Sequence, residues 1–115
     1  MSGRDQMKLF SYLDILIGPH GAGSTNSIFM FPRSAVIEIF PPHFYYDCYE
    51  KLSIGIDIRY EKIIASGSLP KCKRNCTKQE LRDRHFNVSI EEIESVLEDT
   101  VQVVWKEKYK MAQRE

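Results

Sequence analysis

His20 sits in the part of the chain best equipped for chemistry, Gly18-Pro19-His20-Gly21-Ala22-Gly23-Ser24-Thr25-Asn26. Three glycines in six positions allow φ > 0 at Gly21 and Gly23 and let a ligand approach the backbone closely. Ser24, Thr25 and Asn26 carry short side chains of the kind that cap helix starts. A helix start directs unpaired N–H groups and a partial positive charge outward, which suits an anion. The imidazole of His20 can donate to a phosphate oxygen, and as imidazolium it adds charge. These residue types in this order suit a phosphate-bearing ligand, a nucleotide first among them. They equally suit a tight strand-to-helix turn with a satisfied histidine, and the spacing alone does not separate the two.

Two familiar phosphate motifs are excluded. The glycine pattern is not G-x-G-x-x-G with an acidic residue about 20 positions on. No Gly-Lys-Ser/Thr follows, so the corner is not a P-loop. A second candidate is Glu38, set in Val36-Ile37-Glu38-Ile39-Phe40, a run otherwise fit for burial on both faces. A buried carboxylate needs a partner. Either it reaches solvent or an arginine such as Arg33, or it accepts from two ribose hydroxyls at the carboxyl edge of a sheet. Cys72 and Cys76 lie four apart in a polar loop, with Cys48 alone upstream. No second ligand pair completes a zinc site. Exposed or partner-bonded cysteines are the first expectation, a local disulfide the second.

The elements that must hold these residues alternate. Arg4 to Tyr12 reads as the last turns of a helix, with Met7, Phe10 and Leu13 on one face. Ile15 to Ile17 reads as a strand, and Ser24 to Phe31 as a helix ended by Pro32. Ala35 to Phe40 is a β-prone run closed by Pro41-Pro42. Phe44 to Ile54 suits a helix stopped by Gly55, and Ile56 to Ile64 a third strand. This rhythm predicts an α/β fold, a Rossmann-like parallel sheet flanked by helices. Residues 66–87 read as a surface loop whose basic cluster, Lys71, Lys73, Arg74 and Lys78, reads first as a solvated face and second as a contact for a phosphate or an acidic partner. A helix over 89–110 opens on Ser89-Ile90-Glu91-Glu92, a capping box. Its apolar stripe is Ile90, Ile93, Leu97, Val101 and Val104, widened by Trp105, and the tail to Glu115 is expected to fray.

The 115 residues suit one domain, and sixteen basic against sixteen acidic residues leave no bulk field for nucleic acid. No apolar run approaches the ~20 residues of a membrane span, and the first twelve residues lack the apolar core and small-residue cleavage site expected of a signal peptide. A chain that opens inside a packed element is expected to be N-terminally truncated. Asn75-Cys76-Thr77 and Asn87-Val88-Ser89 are acceptor sequons, so Asn75 and Asn87 are glycosylation candidates in a secretory lumen.

Asp14-Ile15-Leu16-Ile17-Gly18-Pro19-His20-Gly21-Ala22-Gly23-Ser24-Thr25-Asn26, followed by Phe31-Pro32-Arg33-Ser34-Ala35-Val36-Ile37-Glu38-Ile39-Phe40-Pro41, resembles glycosyltransferase family 61. That family includes the EGF-domain-specific O-linked N-acetylglucosamine transferases. The paired signature is an aspartate-led strand into His-Gly-Ala, then a strand into Glu-aliphatic-Phe-Pro. The resemblance implies a two-domain GT-B enzyme of which residues 1–115 are most of the C-terminal, nucleotide-sugar-binding half. It implies that His20, Gly21, Ala22 and Gly23 face the diphosphate of a UDP-sugar, with Thr25 and Asn26 supporting them. Glu38 is then the candidate for the ribose, and Phe40 and Pro41 shape the nucleoside pocket. Transfer would be inverting, to a hydroxyl of a protein or glycan acceptor. The catalytic base would lie on the N-terminal acceptor domain, outside these residues. No cofactor or metal is implied, and no Asp-x-Asp occurs in the chain. UDP-N-acetylglucosamine is the first expectation for the donor, and the endoplasmic reticulum or Golgi lumen for the location. A non-catalytic remnant or interaction module with the same fold is the alternative.

Overall fold

Three parallel strands carry the architecture: β1 (Ile15–Pro19), β2 (Ala35–Phe40) and β3 (Arg59–Ile64), in the spatial order β1-β2-β3. The computed structural model describes residues 2–72 and 75–110. Parallel neighbours need a crossover, and helices supply both. A 3-10 helix (Ala22–Phe29) joins β1 to β2, and α2 (Cys48–Gly55), numbered after the N-terminal α1 (Gly3–Ser11), joins β2 to β3. The result is an α/β fold with a Rossmann-like parallel sheet flanked by helices. β2 is buried on both faces, with Ala35, Val36, Ile37, Glu38 and Phe40 all enclosed, as expected for the middle strand of a covered parallel sheet. Met30, Val36 and Ile58 form the centre of the core, with Leu13, Leu16, Ile56 and Tyr60 packed on it.

Several elements depart from the sequence expectation. Ser2 caps α1, its Oγ accepting from the Asp5 N–H at 3.1 Å, so the first element starts with its own cap. The crossover after β1 is 3-10 rather than α. Its sequence, Ala-Gly-Ser-Thr-Asn-Ser, is poor in helix formers and rich in side chains that compete for backbone hydrogen bonds. The aromatic run before α2 has no regular secondary structure, so the helix begins at Cys48 and not Phe44, and β3 begins at Arg59 and not Ile56.

The loop 66–87 contains a short helix, α3 (Lys78–Arg82), capped by Thr77. Cys72 and Cys76 form a disulfide, Cα to Cα 5.4 Å. That answers the cysteine question in favour of the local bond, with the two Cα atoms at an ordinary bridging distance. Lys73 and Arg74 of the basic cluster, residues 111–115 of the tail and Met1 lie outside the described residues.

The final helix α4 (Ile90–Val104) continues as a π-helical turn over Trp105–Lys110. Its buried positions are Thr100 and Val104, while Ile90 is 76% exposed and Val101 and Trp105 about half exposed. The packed face thus keeps Ile93, Leu97 and Val104 of the apolar stripe and adds Thr100, while Ile90 and Val101 at the stripe's margins stay exposed. Thr100 can be buried because its Oγ1 donates to Val96 O at 2.7 Å, which satisfies the hydroxyl. Half of the capping box forms. The Ser89 Oγ accepts from Glu92 N at 3.1 Å, but the Glu92 carboxylate accepts from Ser66 Oγ at 2.7 Å instead of reaching back. Among the described residues no helix is long and apolar enough to cross a membrane.

Candidate functional site

The parallel register assembles the site. Gly18 lies opposite Glu38, and Val36 opposite Tyr60. Alternate residues of a strand share a face, so His20, two positions beyond Gly18, and Tyr60 flank Glu38 on the same face. His20 Nδ1 lies 2.5 Å from Glu38 Oε2, and the Tyr60 hydroxyl donates to Glu38 Oε1 at 2.5 Å. Both oxygens of a wholly buried carboxylate are thus engaged. The alternative of an Arg33 partner does not occur. The Arg33 guanidinium reaches the Glu107 carbonyl at 3.4 Å, at the opposite end of the sheet.

Burial, followed by the hydrogen bond to Glu38, drives the Tyr60 hydroxyl well above its ordinary ionisation range, so it stays a donor. A carboxylate at Nδ1 orients the imidazole and keeps a proton on that nitrogen. Nε2 is then the ring nitrogen left for a ligand, and it makes no hydrogen bond among the described residues. The ring stacks on Phe40, centroids 5.0 Å apart, and Tyr49 and Phe44 stand at 5.5 and 5.7 Å. The His20 side chain is left only 11% exposed.

That remaining surface lines a cavity of about 720 Å³ at the carboxyl edge of the sheet, together with Gly21. Its volume falls in the range of small-ligand sites. It is also lined by Phe44, Tyr46, Cys48 and Tyr49, and by Lys78, Gln79 and Arg82 of α3 with its C-cap Asp83. Burial, with the Glu38 charge behind it, pushes the Cys48 thiol up, so it stands in the wall as a neutral thiol and not a nucleophile. Tyr45, in the same aromatic run, lies under the Lys62 ammonium at 4.0 Å. Its hydrogen bond to Glu50, together with burial, pushes its hydroxyl up to about 12.

The predicted residues divide. His20 and Gly21 line the main cavity, and Thr25 is tied to its wall, its Oγ1 bonding the Tyr49 hydroxyl at 3.3 Å. Gly23 joins Gly18 and Ser24 around a neighbouring cavity of about 370 Å³ that also touches His20. Ala22 is the first residue of the 3-10 helix, and no side chain caps the amides there. Asn26 is half-buried within that helix. Glu38 and Phe40 lie beneath His20, and Pro41 is buried. None of the glycines has positive φ, contrary to the expectation for Gly21 and Gly23; Gly21 is extended at φ 171°. A Cβ on Gly18, Gly21 or Gly23 would meet nothing within 4 Å. Neither backbone conformation nor internal packing requires glycine at these three positions.

Residue-by-residue reading missed Tyr60, Tyr46 and Arg82. The available signals were the density of aromatics from Phe44 to Tyr49, which suited core packing equally well, and the basic cluster that includes Lys78, which suited a solvated face.

The family model described as Glycosyltransferase 61 matches residues 1–37. That is about a third of the chain, and it contains α1, β1, the glycine corner and the start of β2. The match ends one residue before Glu38, so it covers the His-Gly-Ala half of the paired signature and not the Glu-aliphatic-Phe-Pro half. It supports family 61 and points to glycosyltransferase chemistry. No curated protein matches the chain.

Proposed function

We propose that this chain binds the nucleotide-sugar donor of a family-61-like glycosyltransferase, with the diphosphate at His20 and Gly21. One observation carries the reading: His20 is fixed through Nδ1 by buried Glu38 while its ring lines a ligand-sized cavity at the carboxyl edge of a parallel sheet. Open α/β sheets bind ligands at that edge. The glycines add support, since open space at their missing Cβ atoms lets a phosphate reach the backbone.

In this reading Glu38 acts through His20. With both oxygens held by His20 and Tyr60, it positions the imidazole that meets the phosphate instead of holding the ribose itself. An imidazolium offers Nε2–H to the leaving diphosphate, whose charge grows as the bond to the anomeric carbon breaks. The chain corresponds to the C-terminal, donor-binding half of a GT-B enzyme, with Ala22, Gly23, Thr25 and Asn26 shaping the corner. Phe40 supports the His20 ring, and Pro41 closes the strand below. The acceptor hydroxyl and the base that deprotonates it come from another domain, and transfer inverts the anomeric centre. UDP-N-acetylglucosamine is the preferred donor. A secretory lumen is the preferred location, in keeping with a disulfide that persists in oxidising compartments and with exposed Asn75 and Asn87.

Calorimetric titration of the chain with UDP tests this. Wild type binds, and His20→Ala weakens binding at least about tenfold, the loss of one charge-assisted hydrogen bond. Equal affinity in the two proteins, or no binding by wild type, overturns the assignment.

A further inference from the structure

The cavity has a wall that the glycine corner does not explain. Lys78 and Arg82 stand at i and i+4 of α3, on one side of that helix, and both line the cavity shared with His20 and Gly21. Arg82 Nε donates to Asp83 Oδ1 at 3.0 Å. This bond steadies the guanidinium, while its two terminal nitrogens make no hydrogen bond among the described residues. Lys78 forms no ion pair among the described residues.

A helix of five residues cannot order itself in water, yet α3 is tied at both ends. At its start, Thr77 Oγ1 accepts from Glu80 N at 3.1 Å, and the adjacent Cys76 is bonded to Cys72. Beyond its end, Arg84 donates to the Ser68 carbonyl at 3.0 Å. Three ties within the loop thus order the short segment that carries Lys78 and Arg82, and both line the cavity that His20 lines.

We propose that Lys78 and Arg82 bind the anionic phosphate of the ligand held at His20, making α3 the second wall of the site. The inference rests on the donor-binding reading above and adds to it the residues that would grip the leaving diphosphate from the far side. Arginine suits this role because its planar fork can take two phosphate oxygens at once, and lysine adds a compact point charge. Asp83, held on Nε, leaves the opposite edge of the guanidinium to the ligand.

The test compares wild type with Lys78→Gln/Arg82→Gln, substitutions of exposed residues that leave the core untouched. UDP, uridine and inorganic pyrophosphate are titrated calorimetrically into each. The double variant is expected to bind UDP and pyrophosphate at least about tenfold more weakly, with uridine unchanged. The wild-type affinity for UDP is also expected to fall with added salt more steeply than that of the variant. Equal UDP affinity in the two proteins overturns the inference and marks α3 as a solvated surface, while leaving the corner's role intact. If wild type binds pyrophosphate through these two residues but not UDP, the donor reading fails and the phosphate clamp stands. If it binds neither, both fail.

Discussion

With both carboxylate oxygens engaged, Glu38 decides which proton His20 can offer. Its charge keeps hydrogen on Nδ1, so a neutral His20 presents the lone pair of Nε2 to a phosphate. Only the imidazolium presents an N–H there. Glu38→Gln takes away the carboxylate that holds Nδ1 and so loosens the ring, and UDP affinity should fall by about tenfold. Calorimetric titration of the variant beside wild type measures it, and equal affinity contradicts a positioning role for Glu38.

At the scale of elements, local signals predicted what local physics controls. The β-prone run Ala35 to Phe40 became β2 with the expected bounds, and Ser89 became the cap of α4. Both rest on interactions within a few residues. Replacing Ser89 with Ala should cost about 1 kcal/mol of stability, measured by urea unfolding, with little loss elsewhere because Ser89 is exposed. Its sequon, like that of Asn75, has this second use: Ser89 and Thr77 are both helix caps. The middle of the α4 stripe was legible as well, since Ile93, Leu97 and Val104 lie on the packed side. Its margins were not: Ile90, Val101 and Trp105 stay exposed, while Thr100 is buried because it satisfies its own hydroxyl within the helix.

At the scale of the whole molecule, the two ends of the sheet do different work. The carboxyl edge holds the cavity, and the opposite edge holds the chain together. There Asp14 accepts from Lys108 Nζ at 2.9 Å and from the Tyr109 hydroxyl at 2.8 Å. Lys108 also donates to the Ser34 hydroxyl. These contacts bind the last helical turn to the start of β1, across 94 and 95 residues of sequence. Burial alone would raise the Asp14 carboxyl, but the hydrogen bonds from Lys108 and Tyr109 and the Lys108 charge outweigh it and hold it below its usual 3.8. A carboxyl depressed in the folded state stabilises above its unfolded value, and that stability is lost as pH falls through the depressed one. Wild type should thus be more stable than Asp14→Asn at neutral pH, and the gap should close as pH falls below about 4. Denaturant midpoints across pH 2 to 7 measure it, and a constant gap rules out the ion pair as the cause.

The sequence by itself determined the α/β class, the position of the glycine corner after β1 and the need of Glu38 for a partner. Each follows from periodicity, turn chemistry or the cost of burying a charge, which act on neighbouring residues. Only the tertiary structure decided that Glu38 turns to His20 and Tyr60 rather than to Arg33 or an open cleft, and that α3 lines the same cavity as the corner. Those contacts join residues 18 and 22 apart. Strand register and the tied course of a loop bring them together, and no local pattern encodes either.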